Sequence, residues 1–168
     1  MIKEIENFLP IENYNLIKQN LFSNDFPWHY RESMTYKDEA TYENFDWERP
    51  YFFHFLFNEK HARSTYFSII EKCINLLNVK ALISIRCNLT LNYEKQYKCS
   101  WHEDQEYDCK TAILYLNTCN GYTEFKDKSK KIKSEENKIV IFDTKNTHRL
   151  VNQTDSKRRI VINFNYFD

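Results

Sequence analysis

Residues 81–92 read ALISIRCNLTLN, and their alternation of side chains predicts a β-strand with two distinct faces. One face is mainly apolar and carries Ala81, Ile83, Ile85, Cys87, Leu89 and Leu91. The other face is mainly polar and carries Leu82, Ser84, Arg86, Asn88 and Thr90. We expect the first face to pack against helices and the second to line a cavity.

Strand-like segments continue along most of the chain. They lie at 26–36, 50–57, 111–117, 122–125, 138–142 and 157–166. The pair Asn120-Gly121 predicts a hairpin turn before the strand at 122–125, since both positions of such a turn need positive φ. The basic run KDKSKKIK at 126–133 is interpreted as a solvated hairpin tip.

Helical spacing is concentrated near the N-terminus. Residues 2–8 and 12–21 show it on either side of Pro10, and residues 64–77 predict a buried helix with Ser64 as its N-cap. Helices followed by many short strands favour an α+β fold with a mainly β core, built as an antiparallel sandwich or barrel.

Size and composition limit the class of protein. The chain has 168 residues, which predicts one domain, and 24 Lys and Arg balance 24 Asp and Glu. Zero net charge weighs against a nucleic-acid or membrane-surface partner, although a local basic patch remains open. The start MIKEIE lacks the apolar core of a signal peptide, and no run of about 18 apolar residues would span a membrane.

The five cysteines give no sign of a disulfide framework. Their number is odd and no CxxC pair occurs, so neither paired disulfides nor a structural zinc site is predicted. We interpret them as free thiols, which suit a reducing cytoplasm, and a cytoplasmic location is therefore expected.

Three residues have the types and spacing of a metal site. His102 and Asp104 are two apart, so an extended backbone would place both on one face. His148 follows the strand at 138–142, and a barrel would bring it beside that pair. Two histidines and a carboxylate form the facial triad that holds ferrous iron with open coordination positions. The alternative is that each is an ordinary loop residue.

An arginine near the end of the chain is the candidate for binding an anion. In the last predicted strand, Arg158 shares its face with Ile160, Ile162 and Phe164, so it is expected to point inward and to need an anionic partner. A structural carboxylate would also satisfy it. A bulge in this strand would exchange the directions of Arg158 and Arg159.

Together these residues resemble the iron(II)- and 2-oxoglutarate-dependent dioxygenases, particularly the compact prolyl-hydroxylase-like branch common among phage and bacterial sequences. The resemblance covers about residues 81–168. It rests on His102-x-Asp104, Tyr115-Leu116-Asn117, Gly121-Tyr122-Thr123-Glu124-Phe125, residues 137–142, His148 and Arg158. The chain departs from the family in the segment that begins at Gly121, where the family usually has two glycines and this chain has one.

The resemblance implies a fold and a reaction. The fold would be a double-stranded β-helix (jelly roll) with N-terminal buttressing helices, in which 1–80 supports a catalytic core at 81–168 within one domain, 1–168. His102, Asp104 and His148 would bind Fe(II), and Arg158 would bind the far carboxylate of 2-oxoglutarate. With O2, the enzyme would hydroxylate an unactivated C–H of an amino acid, a peptidyl residue such as proline, or another small molecule, releasing succinate and CO2.

Secondary site residues are also expected from the resemblance. Asn88 and Tyr115 would contact the co-substrate, whereas Arg86, Trp101 and Thr123 would contact the substrate. The family often has a tyrosine where this chain has Asn88 or Arg86, and Tyr115 and Trp101 could equally be packing residues. No catalytic residue is expected beyond the metal ligands.

Other functions remain open from the sequence. A nucleic-acid demethylase of the same superfamily is one, a metal-free jelly-roll binding module is another, and a cupin-like iron protein that does not use 2-oxoglutarate is a third. Specificity is expected to lie in residues 24–60 and in the loop between Asn92 and Trp101. The sequence identifies neither the substrate nor the oligomeric state.

Overall fold

The structure is a computed structural model that describes residues 1–32, 49–127 and 130–168. Its strands are β1 (Ile2–Ile5), β2 (His29–Arg31), β3 (Tyr51–Asn58), β4 (His61–Ala62), β5 (Ala81–Leu91), β6 (Lys110–Tyr115), β7 (Tyr122–Phe125), β8 (Lys130–Lys133), β9 (Lys138–Asp143), β10 (His148–Val151) and β11 (Arg158–Phe167). Its helices are α1 (Ile11–Phe22) and α2 (Glu71–Leu76), the latter preceded by a 3₁₀ turn at Thr65–Ile70.

The strands form two antiparallel sheets. The eight-stranded sheet has the order β1-β9-β6-β11-β5-β3-β2, with β4 paired to β3. The three-stranded sheet has the order β10-β7-β8. Because strands adjacent in sequence, such as β6 and β7, lie in different sheets, the chain crosses repeatedly between the two layers. This is the jelly-roll arrangement that the sequence predicted.

The core is divided by the large sheet. On one side, Ile160, Ile162 and Phe164 of β11 pack in a cluster that includes Ile17 and Leu21 of α1. On the other side, a smaller cluster joins the two sheets and contains Ile113, Tyr115, Phe125, Ile132, Val140, Phe142 and Val161. The second side, between the sheets, also holds the buried polar residues of β11.

The three helix predictions differ in outcome. The helix at 12–21 is confirmed as α1, and Ser64 caps the predicted 64–77 helix by accepting a hydrogen bond from the Tyr66 backbone N–H at 3.1 Å. That segment is nevertheless split into a 3₁₀ turn and α2. The helix predicted at 2–8 is wrong, because Ile2–Ile5 instead pairs with β9 at the edge of the large sheet. A segment this short gains more from an unpaired strand edge than from one helical turn.

The Asn120-Gly121 hairpin prediction is also wrong. The φ of Gly121 is not positive, and β7 forms its hairpin with β8 rather than with β6. Glycine is needed here for close packing, since an added Cβ would lie 3.1 Å from Arg159 Cδ, from the Gln153 backbone N and from the Val151 backbone O. Part of the predicted basic tip, residues 128–129, lies outside the described residues.

The strand predictions are largely confirmed, with one local exception. Opposite β11, the register of β5 shifts so that Ser84 pairs with Asn165 and Leu82 with Tyr166. This bulge reverses the direction of the first residues of β5, so Leu82 packs against the main core. Of the strand predicted within 26–36, residues 29–31 are confirmed as β2 and residues 33–36 lie outside the described ranges. No helix within those ranges is long and apolar enough to cross a membrane.

Candidate metal centre

His102, Asp104 and His148 meet at one end of the space between the sheets. One ligand atom from each lies within 4.8 Å of the other two. Asp104 Oδ1 is 3.7 Å from His102 Nε2 and 3.8 Å from His148 Nε2. The two histidines pair as an isolated antiparallel bridge, with backbone N–H groups donating to each other's carbonyl oxygens at 3.0 Å. This bridge fixes the distant segments relative to each other.

Backbone carbonyl groups orient both imidazole rings. His102 Nδ1 lies 3.2 Å from the Ser100 carbonyl oxygen, and His148 Nδ1 lies 3.0 Å from that of Asn146. Because a carbonyl oxygen only accepts, we assign the proton of each ring to Nδ1. Each Nε2 then presents a lone pair toward Asp104, as metal ligation requires.

Asp104 is held as an anion by its surroundings. Burial raises the pKa of this carboxyl, but His148, His102, Arg86 and a hydrogen bond from Thr111 outweigh burial, and the net pKa is lowered. Thr111 Oγ1 donates to Asp104 Oδ2 at 3.1 Å, which leaves Oδ1 free to face the histidines. Burial lowers the pKa of His148 to about 4, so its ring is neutral at neutral pH. Two imidazole nitrogens and one carboxylate are donors suited to a divalent transition metal such as ferrous iron.

A narrow cavity of about 90 Å³ runs from the two histidines into the space between the sheets. Its lining residues include Tyr51 and Asn88, whose buried hydroxyl and Oδ1 have no hydrogen-bond partner among the described residues. Arg159 lines the same cavity, is 2% exposed, and has a buried Nε that also lacks a partner. Three unpartnered polar groups around one cavity indicate a polar ligand.

Arg159 has no counter-ion among the described residues. No carboxylate in those ranges lies within 4.0 Å of its guanidinium, and the pKa of the group is lowered by burial. The Tyr115 ring centre is 5.4 Å from Arg159 Cζ, and the Tyr115 hydroxyl donates to Thr123 Oγ1 at 2.9 Å. Since a buried, unpaired arginine is costly, this position calls for an anionic ligand.

The structure does not bring Arg158 to the triad. Arg158 lies on the helix side of β11, where its Nη2 donates to the Phe22 carbonyl oxygen at 3.1 Å and its Cζ lies 4.5 Å from the Phe22 ring centre. The strand is regular here, so no bulge exchanges the two arginines. Arg158 lies on the apolar face of β11, and this face packs on the helices. The cavity between the sheets is lined by the opposite face of the strand. That opposite face carries Arg159 together with the polar residues Asn163 and Asn165. This polar pattern was the feature of the sequence that could have identified Arg159 as a cavity residue.

The remaining expected site residues are placed as follows. Asn88, Arg86 and Thr123 line the narrow cavity, and Tyr115 is fully buried behind Arg159. Trp101 stands apart from the lining of that cavity and stacks under the Arg149 guanidinium, with 3.8 Å from Cζ to its ring centre. Besides Arg159, the polar residues of the lining that were not expected from the sequence are Tyr51, Thr90 and Asn163.

A second, wider cavity of about 560 Å³ opens on the other side of the triad. Asp104 contributes to its lining, and Arg86 and Asn163 line both cavities. The triad therefore lies between a narrow interior cavity and a larger cleft. This arrangement can hold one ligand inside and a second ligand outside, both next to the same metal position.

Comparisons with known proteins bear on the fold. Neither a family model nor a curated protein sequence matches the chain. Among solved structures, it is similar to a 2OG-Fe(II) oxygenase family oxidoreductase from Burkholderia pseudomallei, with a TM-score of 0.69 and 7% identity over 99% of this chain and 84% of that chain. It is also similar to a prolyl hydroxylase from Trichoplax adhaerens in complex with a hypoxia inducible factor oxygen degradation domain peptide fragment. That TM-score is 0.67, with 15% identity over 99% of this chain and 83% of the other.

A third similar structure is the viral collagen prolyl hydroxylase of Paramecium Bursaria Chlorella virus-1 in its 2OG complex. Its TM-score is 0.60, with 13% identity, and the match covers 98% of this chain and 93% of that chain. At sequence identities this low, the TM-scores show a similarity in fold alone. The resemblance stated from the sequence is confirmed at that level: the chain has the double-stranded β-helix fold of the 2OG-Fe(II) oxygenases, including prolyl hydroxylases.

Proposed function

We propose that this protein is an Fe(II)- and 2-oxoglutarate-dependent dioxygenase that hydroxylates an unactivated C–H bond of an amino acid, a peptidyl residue or another small molecule. One observation carries the proposal. The histidines of a His-Asp-His cluster and a buried arginine without a counter-ion line the same narrow cavity. A metal and a dicarboxylate would satisfy both ends of that cavity.

The ligands would be His102 Nε2, Asp104 Oδ1 and His148 Nε2. Bound iron would supply the oxidising power for C–H hydroxylation, with 2-oxoglutarate converted to succinate and CO2 by one atom of O2 while the other atom enters the substrate. The protein contributes orientation, because its carbonyl groups set the ring positions and Thr111 holds the second oxygen of Asp104.

Arg159, rather than Arg158, is the residue we propose for the far carboxylate of 2-oxoglutarate. Its planar guanidinium makes two parallel hydrogen bonds to a carboxylate and stays charged when buried. Thr123 and Asn88 line the cavity between the histidines and this arginine, and their polar atoms would meet the rest of the co-substrate. Ile113, Leu150 and Val161 form the apolar part of the lining and keep water out.

The other functions considered have less support. A metal-free binding module would leave three ionisable ligands and a buried arginine without a purpose. A nucleic-acid demethylase is not favoured by a chain with zero net charge. A cupin-like oxygenase would have no use for the unpaired Arg159. All five cysteines are buried thiols, which fits the cytoplasmic location we propose.

Anaerobic titration of Fe(II) and 2-oxoglutarate tests this proposal. The wild-type protein should develop the weak visible band of the iron chelate and bind the co-substrate saturably. Arg159→Leu should raise the Kd for 2-oxoglutarate on the order of a hundredfold, because a buried charge pair is lost. The matched control Arg158→Leu should leave that Kd within about threefold. A wild-type protein without the band, or equal losses in both variants, would contradict the assignment.

A further inference from the structure

We infer that the substrate presents a carboxylate to Arg86, with an N–H donor beside that carboxylate, so that it is a free amino acid or the C-terminal residue of a peptide. The inference rests on the proposed function, since it assigns the wider cleft as the substrate site of the same metal. It narrows the substrate class from any molecule with a C–H bond to one with a specific anionic end.

The wider cleft has the size and position of a substrate site. Its volume of about 560 Å³ lies in the range usual for small-ligand sites. Asp104, a proposed metal ligand, lies in its wall, so a molecule bound there would be next to the metal. The narrow cavity behind the triad contains Arg159 and is the place for the co-substrate, which leaves the cleft for the second ligand.

Arg86 is an unpaired cation at the inner end of this cleft. It projects from β5 between its strand neighbours Asn163 on β11 and Phe55 on β3. Its Cζ is 5.9 Å from the centre of the Phe55 ring, and no carboxylate of the described residues lies within 4.0 Å of its guanidinium. Because Arg86 lines both cavities, it lies close to the triad, and its charge helps to lower the pKa of Asp104.

The remaining charges of the cleft also favour an anion. Lys60 lines it without a carboxylate partner in the described part of the chain. Glu59, also in the lining, forms an ion pair with Arg63, and the bound metal would balance the negative charge of Asp104. Arg86 and Lys60 therefore leave uncompensated positive charge, which a carboxylate would balance.

Asn163 adds a hydrogen-bonding group next to Arg86. The two residues are directly opposite each other in the β5–β11 pair, and Asn163 Oδ1 is buried with no hydrogen-bond partner in residues 1–32, 49–127 and 130–168. The Asn163 oxygen can accept a hydrogen bond, and the neighbouring Arg86 guanidinium can bind a carboxylate. A ligand that has an N–H donor close to its carboxylate would satisfy both residues. The amine of a free amino acid and the amide N–H of a C-terminal peptide residue both provide that donor.

Ligand-observed NMR on the protein loaded with Zn(II) and saturating 2-oxoglutarate tests the inference without turnover. Four pools serve as probes: the twenty L-amino acids, their carboxamides, N-acetylglycyl dipeptides with free C-termini, and the same dipeptides as carboxamides. At least one acid should bind, and its carboxamide should bind at least about tenfold more weakly, since a charge-assisted bond is lost. Binding in the first or the third pool tells a free amino acid from a peptide terminus.

Variants assign the effect to the arginine. Arg86→Leu should weaken binding of that acid at least about tenfold, so that the acid no longer binds more tightly than its carboxamide. Arg86→Lys should retain part of the preference for the acid. The Kd of Arg86→Leu for 2-oxoglutarate should stay within about threefold of wild type, in contrast to Arg159→Leu. Circular dichroism spectra verify that each variant is folded. If Arg86→Leu does not fold, the affinities of Arg86→Lys are compared with those of the wild type instead.

Three results would overturn the inference. One is that no acid binds better than its carboxamide, including the case in which none binds. Another is that Arg86→Lys and Arg86→Leu bind the acid as the wild type does. The third is that Arg86→Leu loses 2-oxoglutarate as Arg159→Leu does, which would assign Arg86 to the co-substrate. A failure of the proposed function is seen separately, as a wild-type protein that binds neither metal nor 2-oxoglutarate.

Discussion

At the scale of single residues, the two oxygens of Asp104 have separate roles. Oδ1 faces the Nε2 atoms of both histidines, whereas Oδ2 accepts a hydrogen bond from Thr111. A carboxylate shared in this way can ligate a metal through one oxygen while the other is held in place by the protein. The ligand and the residue that orients it can therefore be tested one at a time.

Replacing the ligand itself should remove the metal without removing the fold. Asp104→Ala leaves His148, whose pKa of about 4 keeps it neutral, so no buried cation loses its counter-ion at neutral pH. We expect the anaerobic Fe(II)–2-oxoglutarate band to disappear and the far-ultraviolet circular dichroism to stay unchanged. Glu103→Ala is the matched control, because Glu103 is exposed and interacts with Thr147 and Lys145 instead. An Asp104→Ala protein that keeps the band would show that the ligand assignment is wrong.

Replacing the orienting residue should weaken the metal without abolishing binding. Thr111→Val keeps the shape of the side chain but removes the hydroxyl that lies 3.1 Å from Asp104 Oδ2 and 2.8 Å from Asn165 Oδ1. We expect metal affinity to fall roughly tenfold, as is usual for partners of metal ligands. Competition with a metal indicator measures it. Thr147→Val, which removes a hydroxyl bonded to Glu103 instead, should bind metal as wild type does; equal affinities in both variants would exclude an orienting role for Thr111.

At the scale of elements, the strands could be predicted because their alternation is a property of the local sequence. Residues 81–92 and 157–166 appear as β5 and β11 with nearly the expected bounds. The direction of each face could not be predicted in the same way, because both faces of β11 are buried. Its apolar face packs on α1, and its polar face lines the cavity between the sheets. Only tertiary structure distinguishes these two environments.

The same limit explains which parts of the site could be found. The triad was found from residue types and spacing, since an HxD pair keeps one face in any extended segment. Arg159 was passed over because its neighbour Arg158 has apolar companions, the usual mark of an inward face. The pairing of β1 with β9 and the crossing from β6 to β7 depend on contacts between distant residues. A single sequence carries no local signal for such contacts.

The small sheet contains an ion pair whose strength should depend on pH. Arg149 on β10 bonds Glu124 on β7 at 2.6 and 2.8 Å, and Lys98 and Lys131 lie within 4 Å of the same carboxylate. Burial raises the pKa of Glu124, but these cations outweigh it and the net pKa is lowered. A carboxylate with a lowered pKa in the folded state stabilises the protein above its unfolded pKa and loses that effect as pH falls through the folded value.

We therefore expect Arg149→Met to be destabilised more at pH 7 than at pH 3. The pH-dependent part should be about 1 kcal/mol, because water screens a pair this close to the surface. The destabilisation that comes from losing the stacking of Arg149 on Trp101 should be the same at both pH values. Urea unfolding of wild type and variant at the two pH values measures the difference, with Lys133→Met as the control on the neighbouring strand. A loss independent of pH would assign the role of Arg149 to packing alone.

At the scale of the whole molecule, the region at 1–80 and the region at 81–168 form one structure. The large sheet contains β1, β2, β3 and β4 from the first region and β5, β6, β9 and β11 from the second. The N-terminus also contacts the second region directly, since the Met1 amino group lies 3.0 Å from Asp143 Oδ2. The N-terminal region thus completes the sheet in addition to buttressing it.

This continuity predicts that residues 81–168 do not fold alone. Without 1–80, β5 loses its partner β3, β9 loses β1, and the main core loses Ile17, Leu21 and Leu56. Full burial of each such side chain stabilises a protein by about 1.5–3 kcal/mol, and 1–80 contributes seven buried Leu, Ile and Phe residues to this core, so their loss is as large as the whole stability of an ordinary domain. We expect an 81–168 fragment to lack a cooperative thermal transition and to bind no metal, whereas the full chain has both. A fragment that melts cooperatively and forms the Fe(II)–2-oxoglutarate band would instead show that the catalytic core is autonomous and that 1–80 is an accessory layer.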